Sequence, residues 1–305
     1  MKLSICNTRT DSKGRELLEH GTALFPISCY NDDLVISNVP WHWHDEFEVL
    51  YVVEGSAIVS VGTEKYILST GDGFFINSGI LHSAQKGNTA NSQICSIVFH
   101  PRIVGSGVDS IYWQNYVQPV ISNPFLRQVY LDQTEPWHND AINTIKTAWN
   151  TCLTEKPGYE FDIRTALSSL ILHLSQNHPQ NAKRPSEKCL RDNERLKGML
   201  LFIQKNYFNP ITVSMIAESV LISESECMRC FRSTIGTSPI KFLKHFRLQK
   251  AADLLSTTDD KIIDIGLSCG FQDISYFIKS FKEIYDLTPN EFQKKSRQEK
   301  NCLAK

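Results

Sequence analysis

Apolar and polar residues alternate over short runs in the first third of the chain, and this pattern predicts β-strands. The runs are rich in Val, Ile, Tyr and Phe, and Gly55, Gly62, Gly71 and Gly73 separate them. Glycines at such intervals are typical of tight turns between antiparallel strands. The pattern therefore predicts an antiparallel barrel or jelly roll in residues 1–108.

Beyond the predicted barrel, the spacing of apolar residues becomes helical. Ile142, Ile145 and Trp149 fall on one face of a helix, and residues 163–174 repeat the pattern. Two amphipathic helices after a β domain need a partner for their apolar faces. The barrel wall is one candidate and a second copy of the chain is the other, so residues 109–178 are predicted to be a helical segment with a role in dimerisation.

The last third of the chain carries one pattern twice, fifty residues apart. Ser223 corresponds to Asp273, and Phe231 corresponds to Phe281. A cap residue followed by proline closes both copies, at Ser238-Pro239 and again fifty positions later. Helix caps, core aromatic residues and first-turn prolines therefore recur in register, which predicts a single helical unit used twice.

Each predicted unit consists of two short helices joined by a tight turn, and Gly270 supplies the positive φ of the second turn. The second helix of each unit has a basic outer face. Its outward residues are Ser225, Met228, Arg229 and Arg232 in the first unit, and Ser275, Lys279 and Lys282 in the second. This is the helix-turn-helix geometry, whose second helix enters the major groove of DNA. A helix over about residues 240–256 joins the two units.

Charge is distributed unevenly along the chain. Residues 1–189 carry 14 Lys and Arg against 19 Asp and Glu, whereas residues 190–305 carry 18 against 14. A net charge of −5 beside one of +4 suits an acidic sensing body and a basic DNA-binding end. The nine cysteines show no framework spacing, so we expect free thiols and a reducing cytoplasm. No apolar run reaches the roughly 20 residues that span a bilayer, and we expect no membrane partner.

Three histidines and a glutamate are the candidate chemical site of the first half. His42, His44 and Glu48 share one face of a predicted strand, and His82 follows the third hairpin. Three interpretations stay open. The side chains line a small-molecule pocket, hold a divalent metal such as Mn, Fe, Ni or Zn, or serve the structure alone.

The C-terminal residues resemble a known family. The run FRLQKAADLL within residues 241–255, followed by IIDIGLSCGFQDISYFIKSFKEIYDLTPNEF from Ile262, is similar to the signature of the AraC/XylS transcription regulators. The resemblance implies a domain of two helix-turn-helix units that binds promoter DNA. It also implies that bases are contacted by Ser225, Met228 and Arg229 in the first unit and by Ile274, Ser275 and Lys279 in the second.

The histidine pattern resembles the two cupin motifs, in which these positions bind a divalent metal. The glycine-rich second motif is present from Gly71 to His82, with Asn77 where proline is usual. Many AraC-type regulators carry a sensing domain of this form, often without a metal. The resemblance suggests a carbohydrate as the effector.

The sequence therefore predicts an α+β multidomain chain. Its expected segments are a cupin-like sensing barrel (1–108), a helical segment (109–178), a linker (179–190), a double helix-turn-helix domain (191–297) and a polar tail (298–305). The N-terminal half is an antiparallel cupin or jelly-roll barrel with following helices, and the C-terminal half is all-α, with two helix-turn-helix units joined by a long helix.

The expected function is transcription regulation, in which a small molecule in the cupin pocket modulates promoter binding. The expected partners are double-stranded promoter DNA, an effector such as a sugar, RNA polymerase and a second copy of the chain. We expect no catalytic residues and no required cofactor. Two alternatives stay open: a metal-dependent cupin enzyme fused to a DNA-binding domain, and an architectural DNA-binding protein that needs no ligand.

Overall fold

The computed structural model describes residues 20–22, 24–177 and 186–303, with the side chains of Cys189 and of residues 297–303 left out. Contacts between backbone positions divide the chain after Asn193 into two compact units. Residues 1–19 and 23 of the predicted barrel, residue 178 of the predicted helical segment, residues 179–185 of the predicted linker and residues 304–305 of the predicted tail lie outside the described residues.

The first unit is built on antiparallel strands. They are β1 (Ile27–Asp33), β2 (Val39–His42), β3 (Phe47–Val61), β4 (Glu64–Ser69), β5 (Gly73–Ile76), β6 (His82–Lys86), β7 (Ser92–Phe99) and β8 (Gln128–Leu131). One sheet has the order β1-β7-β3-β5-β8, and a second joins β2, β6, β3 and β4.

The long strand β3 belongs to both sheets. Its first half pairs with β5 and β7, and its second half pairs with β4 and β6. Gly55 lies at the change of sheet with φ +77°, and a Cβ atom there would come within 1.9 Å of the Asn91 carbonyl oxygen. Only glycine fits this bend. The antiparallel, cupin-like fold is thus confirmed, but β1 and β8 remain edges among the described strands, so the sheet does not close into a barrel.

Two apolar cores hold the first unit together. One lies between the two sheets and includes Leu50, Val59 and Phe74. The other lies between the first sheet and the helices and includes Phe47 and Leu167. These five side chains are at most 1% exposed, and burying each contributes about 1.5–3 kcal/mol.

The helices that follow the strands cover the outer face of the first sheet. They are α1 (Arg102–Gly105), a π-helical turn (Trp113–Val117), α2 (Gln118–Ser122), α3 (Pro136–Thr154) and α4 (Tyr159–Asn177). The predicted apolar face of α3 is buried on the sheet, and Trp149 donates a hydrogen bond to the Tyr30 carbonyl oxygen at 3.3 Å. The segment differs from the expectation in one respect, because the short strand β8 lies inside it and pairs with β5.

The second unit consists of helices alone in its described residues. They are α5 (Glu187–Asn206), α6 (Val213–Glu218), α7 (Glu224–Thr234), α8 (Pro239–Thr257), α9 (Ile262–Ser268), α10 (Ile274–Tyr285) and α11 (Pro289–Leu303). Helix α5 begins inside the predicted linker and spans the boundary between the units, and α11 continues into the predicted tail. Across the described residues, no helix is long and apolar enough to cross a membrane.

The internal repeat is visible in the helices. Helices α7 and α10 begin fifty residues apart, as do α8 and α11. The Ser223 hydroxyl accepts a hydrogen bond from the Glu226 N–H, and the Asp273 carboxylate accepts one from the Tyr276 N–H. Gly270 has φ +86° at the second turn. The predicted all-α architecture of two helix-turn-helix units joined by a long helix is therefore confirmed.

Candidate functional sites

The four predicted chemical residues of the first unit come together in its interior. His42 ends β2, His44 lies just beyond it, Glu48 is on β3 and His82 begins β6. One side-chain ligand atom from each lies within 4.8 Å of the other three, and all four residues are buried. Strand pairing explains this convergence, because β6 lies between β2 and β3 and His42 is directly opposite His82.

Backbone carbonyl groups fix the orientation of the three imidazoles. The Nδ1 atoms lie within hydrogen-bond distance of carbonyl oxygens: His42 with Pro40 at 2.8 Å, His44 with Glu46 at 3.1 Å and His82 with Ile80 at 2.7 Å. A carbonyl oxygen only accepts, so each Nδ1–H is the donor. Such bonds set the tautomer in which Nε2 is the ligand atom, as in metal-binding histidines.

The Glu48 carboxylate lies at the centre of the cluster. Its Oε2 atom is 2.8 Å from His82 Nε2 and 3.2 Å from His44 Nε2. Burial by itself would raise the pKa of Glu48, but the positive charge of His82 and His44 in their protonated forms, with their hydrogen bonds, outweighs it and holds the pKa well below its usual range. The carboxylate is therefore ionised and requires a proton or a cation between itself and each Nε2 atom.

The space beside this cluster is small. A cavity lined by His42, Glu48 and His82, and by apolar and polar residues of both sheets that include Asp32 and Ser96, has a volume of about 10 Å³. That is about the room that a single water molecule or ion needs, whereas pockets for organic ligands typically measure about 300 Å³ or more. This cavity therefore has room for an ion or a water molecule, and it is smaller than a sugar.

A further histidine, which the sequence analysis missed, lies against the cluster. The imidazole of His20 is 5.4 Å from that of His44 between ring centroids, and its Nδ1 atom is 2.8 Å from the Tyr30 hydroxyl oxygen. His20 precedes the first strand and no periodic pattern includes it. Only the path of the chain before β1 brings it to the site.

A wider groove is present on the surface of the first unit. It lies between α4 and the π-helical turn and has a volume of about 560 Å³. Tyr112 and Tyr116 provide partly exposed rings, and Arg164, Ser168 and Leu172 line the opposite wall. Its size and its mixture of aromatic, hydroxyl and guanidinium groups fit an organic ligand.

The predicted DNA-contacting residues lie on the outer faces of α7 and α10. Five of them are exposed: Ser225 and Arg232 on α7, and Ser275, Lys279 and Lys282 on α10. The other three are half-buried: Met228, Arg229 and Ile274. On the opposite faces, Phe231 and Phe281 are fully buried. Helix α8, with 19 residues, is about 28 Å long at 1.5 Å per residue. It thus links two basic helices over a distance comparable with one turn of DNA, about 34 Å.

One predicted base-contacting residue has partners that sequence reasoning did not find. Arg229 donates a hydrogen bond to Glu226 at 3.1 Å, and Arg195 of α5 donates one to the same carboxylate oxygen at 2.8 Å. The spacing of Glu226 and Arg229 permits a pair within one helix. Nothing in the spacing of Arg195 indicates that it joins them.

Comparisons with known proteins agree with this domain order. Residues 26–135 match the model of an AraC-like ligand binding domain, and residues 216–295 match that of a helix-turn-helix domain. The chain is 29% identical to YdeC of Bacillus subtilis, an uncharacterized helix-turn-helix transcriptional regulator, over 93% of this chain and 97% of that protein. It is 23% identical to the transcriptional activator RhaS of Klebsiella pneumoniae, over 84% and 88%.

Among solved structures, ToxT from Vibrio cholerae aligns with 88% of this chain and 96% of its own, at 13% identity and a TM-score of 0.45. An AraC-type regulator from Chromobacterium violaceum aligns with 36% of this chain and 97% of its own, at 28% identity and a TM-score of 0.34.

Proposed function

The chain belongs to the AraC-type transcription regulators, with a ligand-binding domain before a helix-turn-helix domain, and we propose that a divalent transition metal ion bound in its first unit changes its affinity for promoter DNA. The observation that carries the proposal is the convergence of three imidazoles on one ionised, buried carboxylate. The proposal assigns promoter binding to the outer faces of α7 and α10.

The donor set of the first unit fits a metal. The ion would be held by His42, His44, Glu48 and His82. Its positive charge would lie between the carboxylate and the imidazoles, so the imidazoles could stay neutral. The alternative is to keep two buried imidazoles protonated around one carboxylate, and an excess buried charge is costly. Nitrogen and oxygen ligands in this combination suit Mn, Fe, Ni or Zn, and the small cavity agrees with an ion as the occupant.

Promoter binding follows from the residues that α7 and α10 present. Arg229, Arg232, Lys279 and Lys282 provide four positive side chains on two helices of helix-turn-helix units. Positive side chains anchor phosphates, and the shorter polar residues between them reach base edges. For a metal to regulate this binding, its affinity must differ between two arrangements of the chain.

A second candidate function is a response to an organic effector, as the sequence analysis expected. The surface groove beside α4 favours it, since two tyrosine rings, several hydroxyl groups and Arg164 surround about 560 Å³. Aromatic faces and hydroxyl groups are suited to a carbohydrate. In this version the effector binds on the helices and leaves the histidine cluster untouched. A homodimer and a contact with RNA polymerase stay predictions in either version.

Calorimetric titration of the purified full chain with each metal salt tests the proposal. DNA affinity is measured in parallel by fluorescence anisotropy on a sequence selected from a random library. We expect one bound ion per chain and a change in DNA affinity on metal addition. His44→Ala should lose both effects, whereas His173→Ala, a histidine on α4 outside the cluster, should keep both.

The outcomes separate the alternatives. Absence of metal binding, or equal binding by His44→Ala and the wild type, contradicts the metal proposal. A melting-temperature increase with sugars that Tyr116→Ala abolishes and His44→Ala retains supports the organic effector instead. Turnover of a substrate that depends on the bound metal would indicate the enzyme alternative. DNA binding that neither metals nor sugars alter would favour the architectural DNA-binding protein.

A further inference from the structure

Two oxygen atoms beside the histidine cluster have hydrogen-bonding capacity that the cluster does not use. Both bonds of the Glu48 carboxylate to histidines are made by Oε2, so its Oε1 atom is left over. The second atom is the hydroxyl oxygen of Ser96 on β7, a residue that is only 4% exposed. Among the described residues, neither atom has a hydrogen-bond partner. Buried polar groups are almost always hydrogen-bonded, so both atoms point to a ligand.

Strand pairing places Ser96 next to Glu48. In the pairing of β3 with β7, Glu48 lies directly opposite Val98, and Ser96 is two residues from Val98 on the same strand. Side chains alternate between the two faces of a strand, so Ser96 and Val98 share one face. Diagonal neighbours of this kind on adjacent strands are about 7–8 Å apart. One small molecule can bridge their side chains.

The cavity between these residues sets the size and the chemistry of that molecule. Glu48 and Ser96 both line the cavity of about 10 Å³ that also adjoins His42 and His82, and its room is that of a single water molecule. An ionised carboxylate can only accept hydrogen bonds, so the molecule beside it has to be a donor. A water molecule has two hydrogen atoms to donate, whereas a small anion would be repelled by the carboxylate.

We infer that this cavity binds one water molecule, which donates its hydrogen atoms to Glu48 Oε1 and to the Ser96 hydroxyl oxygen and offers its own oxygen to the metal ion. The inference rests on the proposed metal site. Ser96 is then a positioning residue, because it contacts the water and not the ion. Structural zinc sites are closed by protein ligands, whereas catalytic ones keep a position for water. The cluster is therefore an open site, whose ion has one exchangeable ligand.

The coordination number of a bound ion provides the test. Co²⁺ is the probe, because it takes nitrogen and oxygen ligands as Mn, Fe, Ni and Zn do, and because its visible absorption depends on its coordination. Four-coordinate Co²⁺ absorbs visible light severalfold more strongly than five-coordinate Co²⁺. The purified full chain is titrated with Co²⁺, the bound amount is measured by calorimetry, and the absorption is compared per bound ion.

Ser96→Val and Ser96→Thr are the matched pair, because the two side chains have nearly the same shape and only threonine carries a hydroxyl. We expect Ser96→Val to exclude the water and to raise the absorption severalfold, since the ion then keeps only its four protein ligands. Ser96→Thr should keep the wild-type spectrum. Ser96→Ala adds no bulk and should change the spectrum in the same direction as Ser96→Val, but by less. Ser60→Ala is the control for a lost hydroxyl elsewhere, because Ser60 is also 4% exposed but lies outside the lining of the cavity.

The results separate this inference from the metal proposal. A wild type that binds no Co²⁺ contradicts the proposed metal site, and the inference falls with it. A wild type that binds Co²⁺ with the strong absorption of a four-coordinate ion overturns the inference alone. The inference is also overturned if the spectra of Ser96→Val, Ser96→Ala and the wild type are equal, or if Ser96→Thr changes as much as Ser96→Val.

Discussion

Replacing Phe281 by alanine should destabilise the second unit and leave the stability of the first unchanged. Phe281 is on the inner face of α10 and is fully buried. Its ring contacts those of Phe277, Tyr285 and Phe292, at centroid distances of 5.8, 4.5 and 5.4 Å. These three side chains come from α10 and α11, so the substitution leaves a cavity where the second helix-turn-helix unit meets the last helix.

The cost of this cavity follows from the burial. Truncating a fully buried phenylalanine to alanine removes about 3–5 kcal/mol of unfolding free energy, and a domain typically has about 5–15 kcal/mol in total. The melting temperature of the second unit should fall by roughly 15 °C or more. Ile284→Ala is the control on the same helix. That side chain is 38% exposed, so the loss should stay below about 1 kcal/mol.

Two optical signals separate the units. All five tryptophans precede residue 193, so tryptophan fluorescence reports the first unit, whereas circular dichroism at the helix band also reports the second. In thermal unfolding we expect Phe281→Ala to move the dichroism transition and to leave the fluorescence transition in place. A fluorescence transition that moves by the same amount would refute separate cores. A melting temperature equal to that of Ile284→Ala would refute the burial argument.

Three further predictions concern the second unit. Arg229→Ala and Lys279→Ala should each weaken specific DNA binding by about 1–3 kcal/mol. Of the two, only Lys279→Ala should lower the salt dependence of the affinity without changing the base preference. Fluorescence anisotropy at several salt concentrations measures this. Ser223→Ala should remove about 1 kcal/mol of unfolding free energy by urea denaturation, because the hydroxyl caps α7; no change would contradict the cap. Hydrogen bonds from the N–H and hydroxyl of Thr288 lower the pKa of the Glu291 carboxyl from its ordinary 4.5. These bonds therefore stabilise the fold above pH 4.5, and the stabilisation is lost as the pH falls through the lowered pKa. Wild type and Glu291→Gln should therefore differ in melting temperature at pH 7 and converge in acid; a constant difference would contradict the assignment.

The second unit was largely predictable because its information is local. Cap residues, prolines and buried aromatic residues define each short helix by their spacing, and the repeat doubles every signal. The caps Ser223 and Asp273 and the buried rings of Phe231 and Phe281 are confirmed in place. What the spacing could not show is the bond between Arg195 and Glu226, because it depends on how α5 crosses α7.

The histidine cluster was predictable in part. Alternation along one strand places His42 and His44 on the same side, and a motif adds Glu48 and His82, so the four residues could be named before their distances were known. The position of His20 depends on the path of the chain before β1, and periodicity does not encode such a path. The size of the cavity beside the cluster depends on packing between the sheets, which the spacing of residues does not encode.

The short strand β8 and the start of α5 were missed for a different physical reason. Four residues, Gln128–Leu131, are too few for alternation to distinguish a strand from a loop, and pairing with β5 supplies what local preference lacks. Helix α5 begins at Glu187 among polar residues, where no apolar stripe marks a helix. Its apolar face appears only from Leu196 onward.

Hydroxyl-radical footprinting of the full chain on a selected DNA site is the most direct test of promoter binding by two helix-turn-helix units. We expect two protected patches on one face of the DNA, about one helical turn apart. Arg229→Ala should weaken one patch and Lys279→Ala the other. A single protected patch, or two patches that both variants leave unchanged, would contradict recognition by α7 and α10.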